Sequence, residues 1–195
     1  LKANAIEIWT DVNGVLTADP RRVEQANTIP TLSYKEAMEL SHFGAKVIYP
    51  PSIQPAYIKN IPLIIKNTFN PEHPGTFVSK ESGKSPNDIK GISSISNIAV
   101  LRMEGTGMVG VVGIASRLFG CLSRANVNII FLTQGSSEHS ICFGIVPNDI
   151  KKAQKSVEEE FRFEIQNRLI APLVVETNNS IIAVIGENMS NVPGV

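Results

Sequence analysis

Between Ile98 and Gln166 the apolar residues switch between a period of two and a period near 3.6, and few topologies accept the order that results. The pattern predicts a strand over 98–104, a helix over 110–125, strands over 127–133 and 139–146, a helix over 149–161 and a last strand over 163–166. A βαββαβ order of this length is the ferredoxin-like α+β unit, a sheet with helices packed against it. Its first helix carries the clearest stripe: Val111, Ala115, Leu118, Leu122 and Ala125 share one face, while Ser116, Arg117, Ser123 and Arg124 fill much of the other.

The preceding residues follow another pattern. A strand near Ala5–Trp9 runs into Asp11-Val12-Asn13-Gly14, whose Asn-Gly pair favours a turn at positive φ. Ser33 and Glu36 have the spacing of a capping box and open a helix over 34–43; Gly44 ends it, and Pro50-Pro51 confine the next helical piece to about Gln54–Lys59. Ile61–Ile65 reads as a buried strand. Strands alternating with helices imply a parallel α/β arrangement. From Val78 to Lys90 the chain turns polar and breaker-rich, with no apolar period. The expected organisation is therefore an α/β domain over 1–80, a linker over 81–95 and the ferredoxin-like unit over 96–166. Ser180–Val184 with Glu187 and Met189 echo Asn97–Leu101 with Glu104 and Met108, so 167–195 read as the start of a second, truncated copy. Leu1 leads almost directly into a strand with no cleavable leader before it, and the chain reads as a fragment.

Eighteen basic residues balance eighteen acidic ones, which gives no field to draw nucleic acid or an anionic membrane. The longest apolar runs fall far short of the roughly 20 residues that cross a bilayer. Cys121 and Cys142 cannot make a disulfide framework, so reduced thiols and a cytoplasmic location are expected. His42, His73 and His139 lie too far apart for metal-ligand spacing, and no metal site is expected.

Three segments can carry chemistry. The loop from Thr10 to Arg22 leaves a strand end, where open α/β sheets bind ligands; its carboxylates suit ribose hydroxyls and its arginines suit phosphate oxygens, although a solvated turn accounts for the same residues. Lys46, in the loop after Gly44, can meet phosphates or simply favour a helix C-terminus. Gly105-Thr106-Gly107-Met108-Val109-Gly110 satisfies G-x-G-x-x-G between a strand and a helix. A dinucleotide fold needs an acid about 20 residues on, at the end of the next strand. That strand ends at Thr133-Gln134, and a hairpin replaces the second crossover helix, so the dinucleotide reading fails. The same turn can instead present helix N-terminal amides near Val109–Val111 to the carboxylate of a free amino acid, with the amide side chains of Asn128 and Gln134 on the next strand.

The segments 10–22 and 42–50, with Ile29–Tyr34, Glu36–Leu40, Ile53–Ala56, Asn67–Phe69, Gly75-Thr76 and Phe131–Ile141, resemble the aspartokinase family over almost the whole chain. The resemblance implies that 1–80 are the C-terminal, ATP-binding part of an amino-acid-kinase α/β/α sandwich and that 96–166 are an ACT regulatory domain. It implies that Thr10 and Asp11 contact the nucleoside, Leu16 flanks the adenine, and Arg21 and Lys46 face the phosphates of MgATP. Asn13 stands where the family often has Asp, and Leu16 where it often has an aromatic residue. The family's glycine-rich phosphate loop, its catalytic lysine and its aspartate-gripping residues have no counterpart in this sequence, so no catalytic residue is assigned and the chain alone is expected to lack kinase activity. For the ACT unit the resemblance implies a feedback amino acid held by Met108, Gly110, Asn128, Ile129 and Gln134, and a homodimer formed through these domains. Thr133–Glu138 and Leu169–Glu176 look more like the bifunctional aspartokinase/homoserine dehydrogenase branch, which puts threonine ahead of lysine as effector. The rival reading is a free-standing amino-acid-binding regulatory protein, which has no reason to keep Asp11, Arg21 and Lys46 around one pocket.

Overall fold

A computed structural model describes residues 3–42, 47–81, 89–135, 139–187 and 189. The chain divides into two compact units, residues 1–95 with 181–195, and residues 96–180.

In the first unit, β1 (Ile6–Thr10), β2 (Thr31–Ser33), β3 (Leu63–Asn67) and β4 (Thr76–Ser79) form a sheet in the order β1-β3-β4-β2. β1 pairs with β3 and β2 with β4 in parallel, but β3 and β4 are antiparallel, so the sheet is mixed rather than parallel. The reason is local. The turn after Asn67 and Gly75 at φ +78 folds the chain straight back, and an added Cβ at Gly75 would lie 1.9 Å from the Ile65 carbonyl oxygen. Helix α1 (Tyr34–His42) opens on the expected capping box: Glu36 N–H donates to Ser33 Oγ (3.1 Å) and Ser33 N–H donates to Glu36 Oε2 (2.8 Å). The proposed Gly44 stop lies outside the described residues. Helix α2 spans Pro50–Lys59, starting earlier than expected because prolines in a first turn lack only an amide that would be unpaired anyway. Leu32, Tyr34, Leu40, Ile53, Leu63 and Ile65 make up the centre of this unit's core.

The second unit contains most of β5 (Gly91–Glu104), then α3 (Ile114–Arg124), β6 (Phe131–Gln134), β7 (Ser140–Ile145), α4 (Ile150–Glu160), α5 (Arg162–Gln166) and the first part of β8 (Val174–Ile185). The sheet order β6-β7-β5-β8 is that of a ferredoxin-like unit, with α3 and α4 supplying Leu118, Leu122, Ala153 and Val157 to a core shared with Leu101, Met103 and Phe143. Several stretches differ from expectation. Residues 163–166 are helical, with Ile165 N–H donating to the Phe161 carbonyl (2.9 Å), and the fourth strand is β8. Residues 91–95, expected as linker, are already strand, and residues 180–184, expected to open a second copy, continue β8.

Candidate functional site

The loop leaving β1 is built rather than loose. Gly14 (φ +116) packs so closely that an added Cβ would lie 2.5 Å from Thr76 Oγ1. The buried Thr76 hydroxyl accepts a hydrogen bond from Val15 N–H (2.8 Å) and donates one to the Ile29 carbonyl (2.7 Å), joining both ends of the loop to β4. Thr17 N–H donates to the Asn27 carbonyl and Ile29 N–H to the Val15 carbonyl, both at 2.8 Å. Asn13 Oδ1 accepts from Asn67 Nδ2 at 2.7 Å, so an amide at this position orders the turn against β3.

Above this base lies a cavity of about 380 Å³ contained within the first unit. Thr10, Asp11, Leu16 and Arg21, four of the five residues expected at a nucleotide, all line it. Lys46, the fifth, lies outside the described residues, while Val47 next to it in sequence is on the cavity wall. Thr10 Oγ1 donates to Asp11 Oδ1 (3.1 Å). Asp19, which also lines the cavity, takes the Arg21 fork on both oxygens, Nε at 3.0 Å and Nη2 at 2.9 Å. Those hydrogen bonds hold the Asp19 carboxyl below its ordinary range and raise the Arg21 guanidinium. The pair is solvent-exposed, so Arg21 can exchange Asp19 for another anion at small cost. Apolar surface comes from Leu16, Leu40, Val47 and Ile92. Sequence reasoning missed Asp19 as a site residue, although its two-residue spacing from Arg21 is a usable signal; nothing in the sequence marks Ile92, Ser93 or Ser94, which also line the cavity.

A second, more open cleft of about 570 Å³ shares Asp11, Val12 and Leu16 and extends the site toward Asn27 and His73. Among the described residues no group of three or more His, Cys, Asp or Glu side chains could hold a metal ion. Mg²⁺ bound with a nucleotide takes one or two carboxylates plus phosphate oxygens, and Asp19 on this cavity would fit that need once Arg21 turns away from it. Among the same residues no helix is long and apolar enough to cross a membrane.

The five residues expected at an effector fall into two groups. Met108 and Gly110 follow β5 and Gln134 ends β6 at the same end of the sheet, because Glu104 pairs with Ser140 and Gln134 with Ile141. Asn128 and Ile129 precede β6 at the other end, where Phe131 pairs with Gly144. Helix α3 runs between these ends, and its 11 residues span about 16 Å. Asn128 and Gln134 are exposed; Met108 is buried in the core and Ile129 packs against it. The expected helix N-terminal amides at 109–111 are not available in that form. The helix begins at Ile114, Val109 N–H donates to the Thr106 carbonyl and Val111 N–H to the Met108 carbonyl, each at 3.3 Å. Gly110 and Gly113, at φ +69 and +92, interrupt any earlier helix. The glycine spacing has a packing cause instead: a Cβ at Gly105 would lie 2.2 Å from the Leu169 carbonyl oxygen, and one at Gly107 2.6 Å from Leu169 Cβ.

Residues 1–67 match the amino acid kinase family, and residues 101–161 match the ACT domain. A bifunctional aspartokinase/homoserine dehydrogenase of Haemophilus influenzae is 45% identical over 195 residues, which is 100% of this chain and 24% of that protein. The chain thus spans about a quarter of that relative's length. The crystal structure of Clostridium acetobutylicum aspartate kinase superposes with a TM-score of 0.85 at 31% identity, covering 99% of this chain and 44% of the other. Escherichia coli aspartokinase III, 28% identical with 99% of this chain and 42% of the other covered, gives 0.81 in its complex with aspartate and ADP and 0.75 in its complex with lysine and aspartate.

Proposed function

This chain is a stretch of aspartokinase-type sequence in which an amino acid kinase segment precedes an ACT domain, and we propose that the protein carrying it transfers the terminal phosphoryl group of MgATP to the side-chain carboxylate of L-aspartate. The product is 4-phospho-L-aspartate, the entry to lysine, threonine and methionine biosynthesis. One carboxylate oxygen forms the new P–O bond, and the bond to the bridging oxygen of the departing ADP breaks. The observation that carries this reading is the convergence of Thr10, Asp11, Leu16 and Arg21 on one cavity.

In this reading Asp11 accepts hydrogen bonds from the nucleoside, with Thr10 Oγ1 fixing its orientation. Arg21 turns its fork from Asp19 to phosphate oxygens, and Lys46 adds a second cation there. Bound MgATP supplies the phosphoryl group and its charge-neutralising cation. The chain supplies positioning; by itself it is expected to form no aspartyl phosphate.

The ACT unit is the sensor. Free threonine, ahead of lysine, is the proposed effector, and a cytoplasmic homodimer is the proposed state. The two groups of candidate residues lie about 16 Å apart along α3, farther than one amino acid reaches, so a composite site needs Met108, Gly110 and Gln134 of one copy beside Asn128 and Ile129 of another. Inhibition then follows from tighter effector binding to the less active arrangement of the dimer. A homoserine dehydrogenase activity elsewhere in the same protein is part of this reading, supported by the bifunctional relative.

Calorimetric titration of the 195-residue chain with ADP, threonine and lysine tests these assignments. ADP binding should weaken about 10- to 100-fold on Asp11→Ala or Arg21→Ala, the loss of one charge-assisted contact, and threonine should bind more tightly than lysine. Unchanged ADP affinity in both variants would remove the nucleotide assignment.

A further inference from the structure

The cavity that holds Thr10, Asp11, Leu16 and Arg21 has a wall from an unexpected place. Ile92, Ser93 and Ser94 at the start of β5 line it, although they are distant in sequence and outside both family-matched segments, 1–67 and 101–161. Their backbone is anchored. Ile92 N–H donates to the Thr17 carbonyl at 2.8 Å and Lys90 N–H to the Ile185 carbonyl at 2.8 Å. Gly91 lets the strand approach this closely, since a Cβ there would stand 3.0 Å from the Thr17 carbonyl oxygen and 3.2 Å from Leu40 Cδ2.

The Ile92 side chain does not use this anchorage to bury itself in the core. It stays 47% exposed on the cavity wall, whose apolar lining also includes Val12, Leu16, Ala18, Pro20, Leu40 and Val47. A branched aliphatic side chain held by a fixed backbone at a ligand cavity, with no protein group covering half of it, suits a flat and weakly polar ligand face. The charged groups of the cavity, Asp11, Asp19 and Arg21, suit ribose and phosphate instead. Leu16 offers no ring for stacking, so a base must be held by dispersion and exclusion of water between aliphatic surfaces.

We propose that Ile92 is a base-contact residue, forming with Leu16 an aliphatic slot for the purine of the bound nucleotide. This rests on the nucleotide reading of the cavity and adds to it a specificity residue outside the kinase-family segment.

The test is ADP binding by the full chain carrying Ile92→Ala, Ile92→Asp or Ile92→Leu, with Asp11→Ala as reference and inorganic pyrophosphate, measured by displacement of ADP, as a ligand without a base. Ile92 is half-exposed, so these variants should fold, and Trp9 fluorescence melts check that they do. Ile92→Ala should weaken ADP about five- to tenfold, Ile92→Asp should weaken it further, Ile92→Leu should stay near the unmodified chain, and pyrophosphate should be unaffected throughout. Unchanged ADP affinity in Ile92→Asp beside a loss in Asp11→Ala would overturn the base slot and leave the nucleotide reading standing. Equal weakening of ADP and pyrophosphate would make Ile92 structural and also overturn it. Unchanged ADP affinity in Asp11→Ala as well would sink both.

Discussion

Replacing Thr76 by valine removes one hydroxyl and keeps the side chain's shape. In the folded protein that hydroxyl is fully buried and answers two backbone groups, the Val15 N–H and the Ile29 carbonyl. Valine leaves both without a partner and without water, at about 1–3 kcal/mol for each orphaned group, so the variant should lose about 2–6 kcal/mol. Typical domain stabilities are about 5–15 kcal/mol, which makes this a large fraction. The chain's one tryptophan, Trp9, sits on β1 with Lys66 Nζ 5.2 Å from its ring, so its fluorescence reports on the first unit alone. With a urea slope of about 2 kcal/mol/M, the Trp9 transition should move down by about 1–3 M. ADP affinity should fall as well, because the loop carrying Asp11 and Arg21 is tied to the sheet through this hydroxyl. A midpoint change below about 0.3 M would refute the claim that Thr76 holds the loop's base, since that corresponds to less than one orphaned group.

Two more expectations concern the second unit. Gly105→Ala should destabilise it by about 1–3 kcal/mol through collision with the Leu169 carbonyl, whereas Gly110→Ala, facing open space at φ +69, should cost about 1 kcal/mol; thermal melts that rank them the other way would contradict the packing account. Arg117 donates to Glu160 and Glu164 and covers the Phe161 ring at 4.4 Å, and its hydrogen bond holds the Glu164 carboxyl below the ordinary range. A depressed carboxyl contributes stability above its unfolded value, near 4.5, and loses it as pH falls through the folded value, so the unit should weaken below about pH 4.5. Arg117→Ala should flatten that acid limb in melts taken across the range, and an unchanged pH profile would show that the ion pair contributes nothing.

Local rules made much of this protein legible before its structure. The Ser33–Glu36 capping box lies within four residues and formed as read. Hydrophobic period makes α3 and the strand pair 131–134 and 140–145 legible, although α3 begins at Ile114 rather than 110, which leaves Val111 outside its stripe and half-exposed, β6 begins at 131 rather than 127, and the ferredoxin-like order closes on β8 rather than on 163–166. Thr10, Asp11 and Arg21 share one loop, so their common cavity was within reach of a motif. Tertiary structure decided the rest, because the forces involved act between residues far apart in sequence. Residues 163–166 became helix rather than strand because β8 takes the sheet edge beside β5. The glycines at 105 and 107, which imitate a phosphate loop, are required by the passage of Leu169 against them, and Ile92 reaches the cavity only because its amide is bonded to Thr17. A sequence records which side chains and turns are available; which backbone passes close enough to exclude a Cβ or line a cavity is settled only when the elements pack.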